Sequence, residues 1–453
     1  MFTVFDKSRS ALVGRRPAAL VRKLRFAATH VILIDSFQPL KRTVDLVTAG
    51  AALAVTAPFS CAFIIKRKMG HHPVLARTER VGRLGRRYTQ YSFAGLSQHR
   101  ILRKIPLLIN ILHGDMSFIG PRPAAPDDPI LKAGGRGRLS VKPGVISPWW
   151  LRQRANLDFD DEATVDRQYV NRASLSGDFG IVLRAIPALA FNETREAAPR
   201  KVEILGIRID NLTMAEAIDW IGHRLSAEGQ ALICMTNAHC ANVSCVNPAY
   251  QRTLLNSGLN LADGIGVRLA AKIKRTPIRQ NVNGTDLFPR LCAMLQNESA
   301  SIYLLGGRPG VAARVAEWIG SQYPNTVVAG FRDGYFTPGE EDAVTEVIRA
   351  SGASIVLVAM GVPQQELWIQ RNLPRMGAKV VIGVGGLFDF YSGRIPRAPE
   401  WMREIGFEWV YRLLQEPGRM WKRYLIGNWT FLFRFFLYEL KLYRPQNQAT
   451  GGS

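Results

Sequence analysis

Leu261-Ala262-Asp263-Gly264-Ile265-Gly266-Val267 ends an apolar run on a carboxylate, adds two glycines, and then opens a helical pattern. In an α/β protein this is how a strand runs out into the crevice where ligands bind. Glycine lets backbone N–H groups approach a phosphate, and an aspartate at that point can take a proton from an incoming hydroxyl. The same seven residues would also make an Asp-Gly turn capping the next helix. What lies around them decides between the two.

Downstream, apolar runs alternate with segments of helical length. Strands are expected at 231–235, 301–305, 326–330, 354–360 and 379–384, and helices at 311–322, 340–350 and 364–373. Strands interleaved in this way need crossover connections, which gives a Rossmann-like, doubly wound parallel sheet in the C-terminal half. The strand ends hold the chemically interesting residues: Thr236-Asn237-Ala238-His239, Gly306-Gly307, Gly361-Val362-Pro363-Gln364-Gln365-Glu366 and Gly385-Gly386-Leu387-Phe388-Asp389. Glycine turns converging on one sheet edge suit a nucleotide diphosphate. His239 has no companions at metal-ligand spacing, so a hydrogen-bonding or core role is expected of it. This half contains no D-x-D, and catalysis without a metal or other cofactor is expected.

A chain of 453 residues has room for two or three domains, and its formal charge of +23 calls for a polyanionic partner. The first 110 residues hold 20 Lys/Arg against four Asp/Glu, much of this charge flanking the apolar stretch 44–65. That placement favours a membrane surface, and no zinc-finger or aromatic RNA-binding pattern argues for nucleic acid. Lys41-Arg42 before the stretch, Lys66-Arg67-Lys68 after it and Pro58 within it predict a re-entrant hairpin with both ends cytoplasmic, a single spanning helix being the alternative. The five cysteines lack C-x-x-C spacing and are expected to be reduced thiols. The expected organisation is a basic arm (1–37), a small α-rich membrane-associated unit (38–192) and a linker (193–201). An α/β domain (202–417), a basic aromatic tail contacting the membrane (418–445) and a disordered end (446–453) follow.

Two resemblances sharpen this outline. Gly114-Asp115-Met116-Ser117-Phe118-Ile119-Gly120-Pro121-Arg122-Pro123, preceded by Arg77-Thr78-Glu79-Arg80-Val81-Gly82-Arg83 and followed by Leu139-Ser140-Val141-Lys142-Pro143-Gly144, resembles the bacterial sugar transferases. These load a sugar phosphate onto polyprenyl phosphate. The family's Asp-Glu pair, a nucleophile and a magnesium ligand, falls on Arg103 and Lys104, which can perform neither role. The resemblance therefore implies a degenerate copy. The acidic run Asp158-Phe159-Asp160-Asp161-Glu162 reads as a helix start rather than a metal site.

Asn237-Ala238-His239, Ala262-Asp263-Gly264-Ile265-Gly266, Gly284-Thr285-Asp286-Leu287, Gly361-Val362-Pro363-Gln364-Gln365-Glu366, Arg397-Ala398-Pro399-Glu400-Trp401 and the run Glu408–Pro417 with Arg423-Tyr424 resemble the WecG/TagA/CpsF glycosyltransferases over residues 202–437. The resemblance implies inverting transfer of an N-acetylhexosamine or uronic-acid sugar from a UDP-sugar to a saccharide on polyprenyl diphosphate. The expected setting is the cytoplasmic face of a bacterial inner membrane, in surface or exopolysaccharide synthesis. It implies Asp263 as general base. The motifs and strand ends together give Thr236, Asn237, His239, Gly264, Gly266, Asn283, Asp286, Gly306, Gly307, Gln365, Glu366, Gly385, Arg397, Arg412 and Arg423 as the expected substrate-binding set. Inner-membrane lipids and other polysaccharide-assembly enzymes are the further partners to expect. Two positions depart from the family pattern: Met235 stands where threonine is common, and Asn281 where arginine is common. A bifunctional enzyme that also primes the lipid, and a membrane scaffold, remain as alternatives.

Overall fold

The computed structural model describes residues 16–96, 100–132, 135–155, 161–190 and 198–445. The first part of the basic arm (1–15), Asp158 to Asp160, most of the linker and the end 446–453 lie outside the described residues. The chain forms two compact units, Met1–Gln153 with Asp158–Pro187, and Arg154–Leu157 with Ala188–Ser453.

The first unit begins with one helix, Arg16–Met69, which contains Pro39 and Pro58. Its part Gln38–Met69 is long and apolar enough to cross a membrane. The hairpin expected at Pro58 is not formed, and the helix runs through. Proline removes one backbone hydrogen bond but already has a helical φ, and the preceding Ala51-Ala52-Leu53-Ala54 are strong helix formers. After the helix, β1 (Leu75–Val81) pairs antiparallel with β2 (Arg87–Phe93), and β3 (Ser117–Ile119) pairs parallel with β4 (Gly144–Ile146).

The motif residues here hold structure. Buried Asn110 accepts from the Tyr91 amide (3.0 Å) and donates to the Thr89 carbonyl (2.7 Å). Gly120 and Gly144 let β3 and β4 approach closely; a Cβ on Gly120 would sit 3.0 Å from the Gly144 nitrogen. Asp161 caps the helix Glu162–Arg172 by accepting from the Thr164 amide, the helix start expected of the acidic run. Glu162 pairs with Arg122 (2.6 Å) and Arg138 (3.2 Å). The side chains of Arg103 and Lys104 are exposed at the end of the short helix Arg100–Arg103. Two cations there cannot hold magnesium, so the metal site implied by the sugar-transferase resemblance does not fit these residues.

The second unit is built on an eight-stranded sheet. Its strands are β5 (Lys201–Ile204), β6 (Ile207–Asp210), β7 (Ala231–Thr236), β8 (Leu259–Ala262), β9 (Ser301–Gly306), β10 (Val327–Arg332), β11 (Ile355–Ala359) and β12 (Val380–Gly383). They lie in the order β10-β9-β11-β12-β7-β8-β6-β5, all parallel except β5, which pairs antiparallel with β6. Both faces are covered, which is why these strands read as near-continuous apolar runs. Along β7, Leu232 and Cys234 pack into the core on one face while Ile233 and Met235 pack into the core on the other. The sequence reading missed the β5–β6 hairpin, whose eight residues alternate with charged positions.

The last helix, Gly427–Glu439, differs from the surface tail expected. Phe431 and Phe435 are buried in the core beside Ala238, Ala241 and Val267. The opposite side leaves Trp429 and Phe433 exposed by 75% and 65%. Core and surface are thus two faces of one helix.

Candidate active site

At the C-terminal edge of the parallel strands, β8 ends at Ala262 and Asp263 follows, its amide bonded to the Thr236 carbonyl at the end of β7 (2.9 Å). This contact sets Asp263 beside Asn237, the N-cap of the helix Ala238–Ser244. The Asn237 oxygen accepts from the amides of His239 and Cys240, both at 3.1 Å. With its oxygen so held, the amide group must turn its NH2 outward, and it donates to Asp263 Oδ2 at 3.2 Å. Gly264, at φ +87°, lets the chain leave Asp263 sharply, and its N–H is bonded to Asn281 Oδ1 (2.6 Å). Burial raises the Asp263 carboxyl above its ordinary value. The Asn237 hydrogen bond and the charges of Arg423 and Arg412 pull it back, while Asp286 adds to the rise. A carboxylate with one fixed hydrogen-bond donor and a raised proton affinity is suited to act as a general base.

Asp263 and Asn237 line an open cleft of about 1090 Å³. Its floor is the glycine turns after β9, β11 and β12, including Gly307, Gly361, Gly385 and Gly386. Gln365 joins two of these turns: its side-chain oxygen accepts from the amides of Gly361 (3.1 Å) and Gly385 (3.0 Å). Six arginines line the cleft, three of them balanced by carboxylates: Arg371 with Glu341 (3.2 Å), Arg394 with Asp389 (2.7 Å) and Arg419 with Glu416 (3.5 Å). Arg308, Arg412 and Arg423 have no carboxylate partner among the described residues. Arg412 packs on Gly386 and over the Phe390 ring (5.3 Å). The Nε atoms of Arg412 and Arg423 are buried without a hydrogen-bond partner. Guanidiniums without carboxylate partners, a carboxylate and glycine turns in one cleft are chemically suited to an anionic group beside a hydroxyl.

The family model described as "Glycosyl transferase WecG/TagA/CpsF family" matches residues 202–445, more than half of the chain and the whole of this cleft. The chain belongs to this family. It is a glycosyltransferase. A second family model, "Bacterial sugar transferase", matches residues 96–192. Among curated proteins, the chain is similar to the N-acetylglucosaminyldiphosphoundecaprenol N-acetyl-beta-D-mannosaminyltransferase of Bacillus subtilis (strain 168). The two are 33% identical over 216 residues, 48% of this chain and 83% of the relative.

Within this glycosyltransferase, several residues expected to bind substrate lie behind the cleft. Thr236 is fully buried and its hydroxyl donates to Asn260 Oδ1 (2.7 Å); strand alternation turns Met235 into the cleft instead. His239 is kept neutral, its pKa pushed down to about 4 by burial and then by Arg423. Gly266 serves helix packing, since a Cβ there would meet the Ala238 side chain at 3.1 Å. Asn283 caps the helix Gly284–Leu295 and donates to Asp286 Oδ2 (2.7 Å). Asp286 in turn pairs with Arg397, which also reaches Glu408 at 3.3 Å. This buried ion network ties the segment before Arg412 to the start of that helix. Gly306, at φ +130°, packs against Ala359, and Glu366 is buried beneath Gln365. The sequence places Arg308 in the glycine-rich strand end Leu304–Gly310 but gives it no part in the substrate-binding set, and it gives no sign of the aromatic side of the cleft, formed by Tyr335, Phe336 and Trp368. The Arg308-Pro309 turn after Gly307 was the available signal for the first; the aromatics carried none.

Proposed function

We propose that this enzyme transfers a sugar, of N-acetylhexosamine or uronic-acid type, from a UDP-sugar to a saccharide carried on polyprenyl diphosphate, with inversion at the anomeric carbon. One observation carries the reading: Asp263, held by Asn237, lines the same cleft as Arg412 and Arg423, two guanidiniums without carboxylate partners among the described residues. Asp263 takes the proton of the acceptor hydroxyl as that oxygen attacks the anomeric carbon. The bond from this carbon to the diphosphate breaks, and its electron pair leaves on UDP. Arg412, Arg423 and Arg308 offset the charge of the departing diphosphate, a role that needs no metal ion. The similar Bacillus subtilis enzyme, named as a transferase to N-acetylglucosaminyldiphosphoundecaprenol, supports the acceptor class.

The apolar helix and basic flanks of the first unit support attachment to the cytoplasmic face of a bacterial inner membrane, in surface or exopolysaccharide synthesis. The exposed Trp429 and Phe433 support a second membrane contact. The first unit acts as an anchor without sugar-phosphate transfer, because Arg103 and Lys104 stand where a nucleophile and a metal ligand would be needed. The test incubates the full chain in lipid nanodiscs with a panel of UDP-sugars and polyprenyl-diphosphate saccharides, with products read by mass spectrometry. Extension of the acceptor by one sugar with release of UDP is the expected result. Absence of extension across the panel, by a folded protein that binds UDP, refutes the reading.

A further inference from the structure

Gln365 and Glu366 open the helix Gln364–Met376 and are 2% and 1% exposed. The Gln365 oxygen holds the amides of Gly361 and Gly385, which belong to the turns after β11 and β12. A primary amide can sit either way round in such a pocket. Turned over, it would point NH2 hydrogens at two N–H donors and release both turns. What fixes its direction is Glu366: the Gln365 NH2 donates to Glu366 Oε1 at 2.7 Å. Space for this pair comes from Gly383, the last residue of β12, where a Cβ would sit 2.8 Å from Gln365 Nε2 and 3.2 Å from Glu366 Oε1.

Apart from a hydrogen bond to its own backbone N–H, Glu366 has no other side-chain task among the described residues. It does not line the cleft, it pairs with no cation among the described residues, and its Oε2 is buried without a partner. A buried carboxyl with an orphaned oxygen is costly, so a buried amide or apolar residue would serve packing better. We infer that Glu366 is a positioning residue, which fixes the Gln365 amide so that one side chain clips together the two glycine turns flooring the cleft. Gly383 is part of the same device, because only a residue without a side chain leaves room for the clip. Both turns face the cleft, through Gly361 with Val362 and through Gly385 with Gly386. Their alignment under a donor diphosphate rests on the reading given under Proposed function; the clip itself does not.

The experiment follows the amides of Gly361 and Gly385 by hydrogen exchange in the full chain, for wild type, Glu366→Leu, Glu366→Gln and Gly383→Ala. Glutamine keeps an acceptor oxygen for Gln365, so Glu366→Gln should hold both amides near wild-type protection. Glu366→Leu removes the acceptor, and both amides should exchange at least about tenfold faster, the scale of one buried hydrogen bond lost. Gly383→Ala keeps Glu366 but displaces the Gln365 amide, and should reproduce the same two changes even if the leucine variant does not fold. A role confined to packing would loosen the whole helix 364–376, would not be rescued by glutamine, and would leave Gly385, on a separate loop, unchanged. Gly385 exchanging at the wild-type rate in Gly383→Ala, or a glutamine variant as loose as the leucine one, overturns the assignment. UDP affinity is measured on the same proteins by calorimetry, and should weaken at least about tenfold in Gly383→Ala. Failure of the wild type itself to bind UDP would refute the donor reading, while the exchange data would still decide the clip.

Discussion

Asp263→Asn, alone and with Asn237→Ala, tests the reaction chemistry most directly. Asparagine keeps the shape at position 263 but cannot take the acceptor's proton, so transfer should fall by about a hundredfold to ten-thousandfold. The fold should be unharmed. Burial raises the Asp263 pKa, so its contribution to stability is full below the ordinary carboxylate value and is lost as pH rises through the raised one. Removing that charge should leave the melting temperature at pH 7.5 equal or higher. Asn237→Ala removes one hydrogen bond from the ionised carboxylate, at 3.2 Å, and the cap from two backbone amides. The lost cap should cost about 1 kcal/mol of stability. The lost hydrogen bond, about 1.5–2 kcal/mol when made to a charged group, should raise the Asp263 pKa by roughly one unit. The acid limb of kcat/KM, measured from pH 4.5 to 8.5 with a lipid-linked acceptor, should therefore move upward in Asn237→Ala and disappear in Asp263→Asn. Near-normal turnover by folded Asp263→Asn, or an acid limb that moves downward in Asn237→Ala, would refute the reasoning.

Arg412→Ala and Arg423→Ala should each weaken UDP binding by about tenfold or more without lowering the melting temperature, since neither removes an ion pair; calorimetry and thermal denaturation check this. Glu366 has its pKa pushed from 4.5 to about 7 by burial, among Cys234, Cys240 and Tyr250, so its ionisation opposes folding as pH rises through about 7. Glu366→Gln should accordingly be more stable than wild type at pH 8, with a smaller difference at pH 5, in urea titrations. Phe435→Ala should cost about 3–5 kcal/mol, because the side chain is fully buried, and chain ended at Gly418 should not fold stably. Full-length protein given polyprenyl phosphate, magnesium and UDP-sugars should release no UMP; its release with formation of a lipid-linked sugar phosphate would restore the bifunctional alternative.

The sheet was legible because strands buried on both faces must be apolar throughout, as in Ile355–Ala359 and Val380–Gly383. The position of Asp263 was legible for the same reason, since an apolar run can end on a carboxylate only where the strand leaves the core. What the sequence could not tell was the direction of side chains at those ends. Thr236 and Met235 are neighbours, and only the pairing of β7 with β8 turns the first inward to Asn260. Asn283, Asp286 and Arg397 have the residue types of an anion site, yet Arg397 is spent on two carboxylates, buried Asp286 and half-buried Glu408, 111 and 11 positions away in sequence. In the apolar stretch 44–65, Pro58 reads as a break when local propensity is weighed without the strong helix formers that precede it. The tail's aromatics were read by composition alone, and it is their spacing, Phe431 with Phe435 against Trp429 with Phe433, that divides core from surface.

The unpaired guanidiniums of Arg412 and Arg423 have a kinetic corollary. Two guanidiniums lining one cleft without a carboxylate partner among the described residues favour a dianion there, whether donor or spent nucleoside diphosphate. In the proposed reaction, the grip that eases departure of the leaving group from the sugar is the same grip that keeps it in the cleft afterwards. On the proposed reaction, slow escape of the by-product is the expected brake on turnover, and added nucleoside diphosphate should inhibit the enzyme.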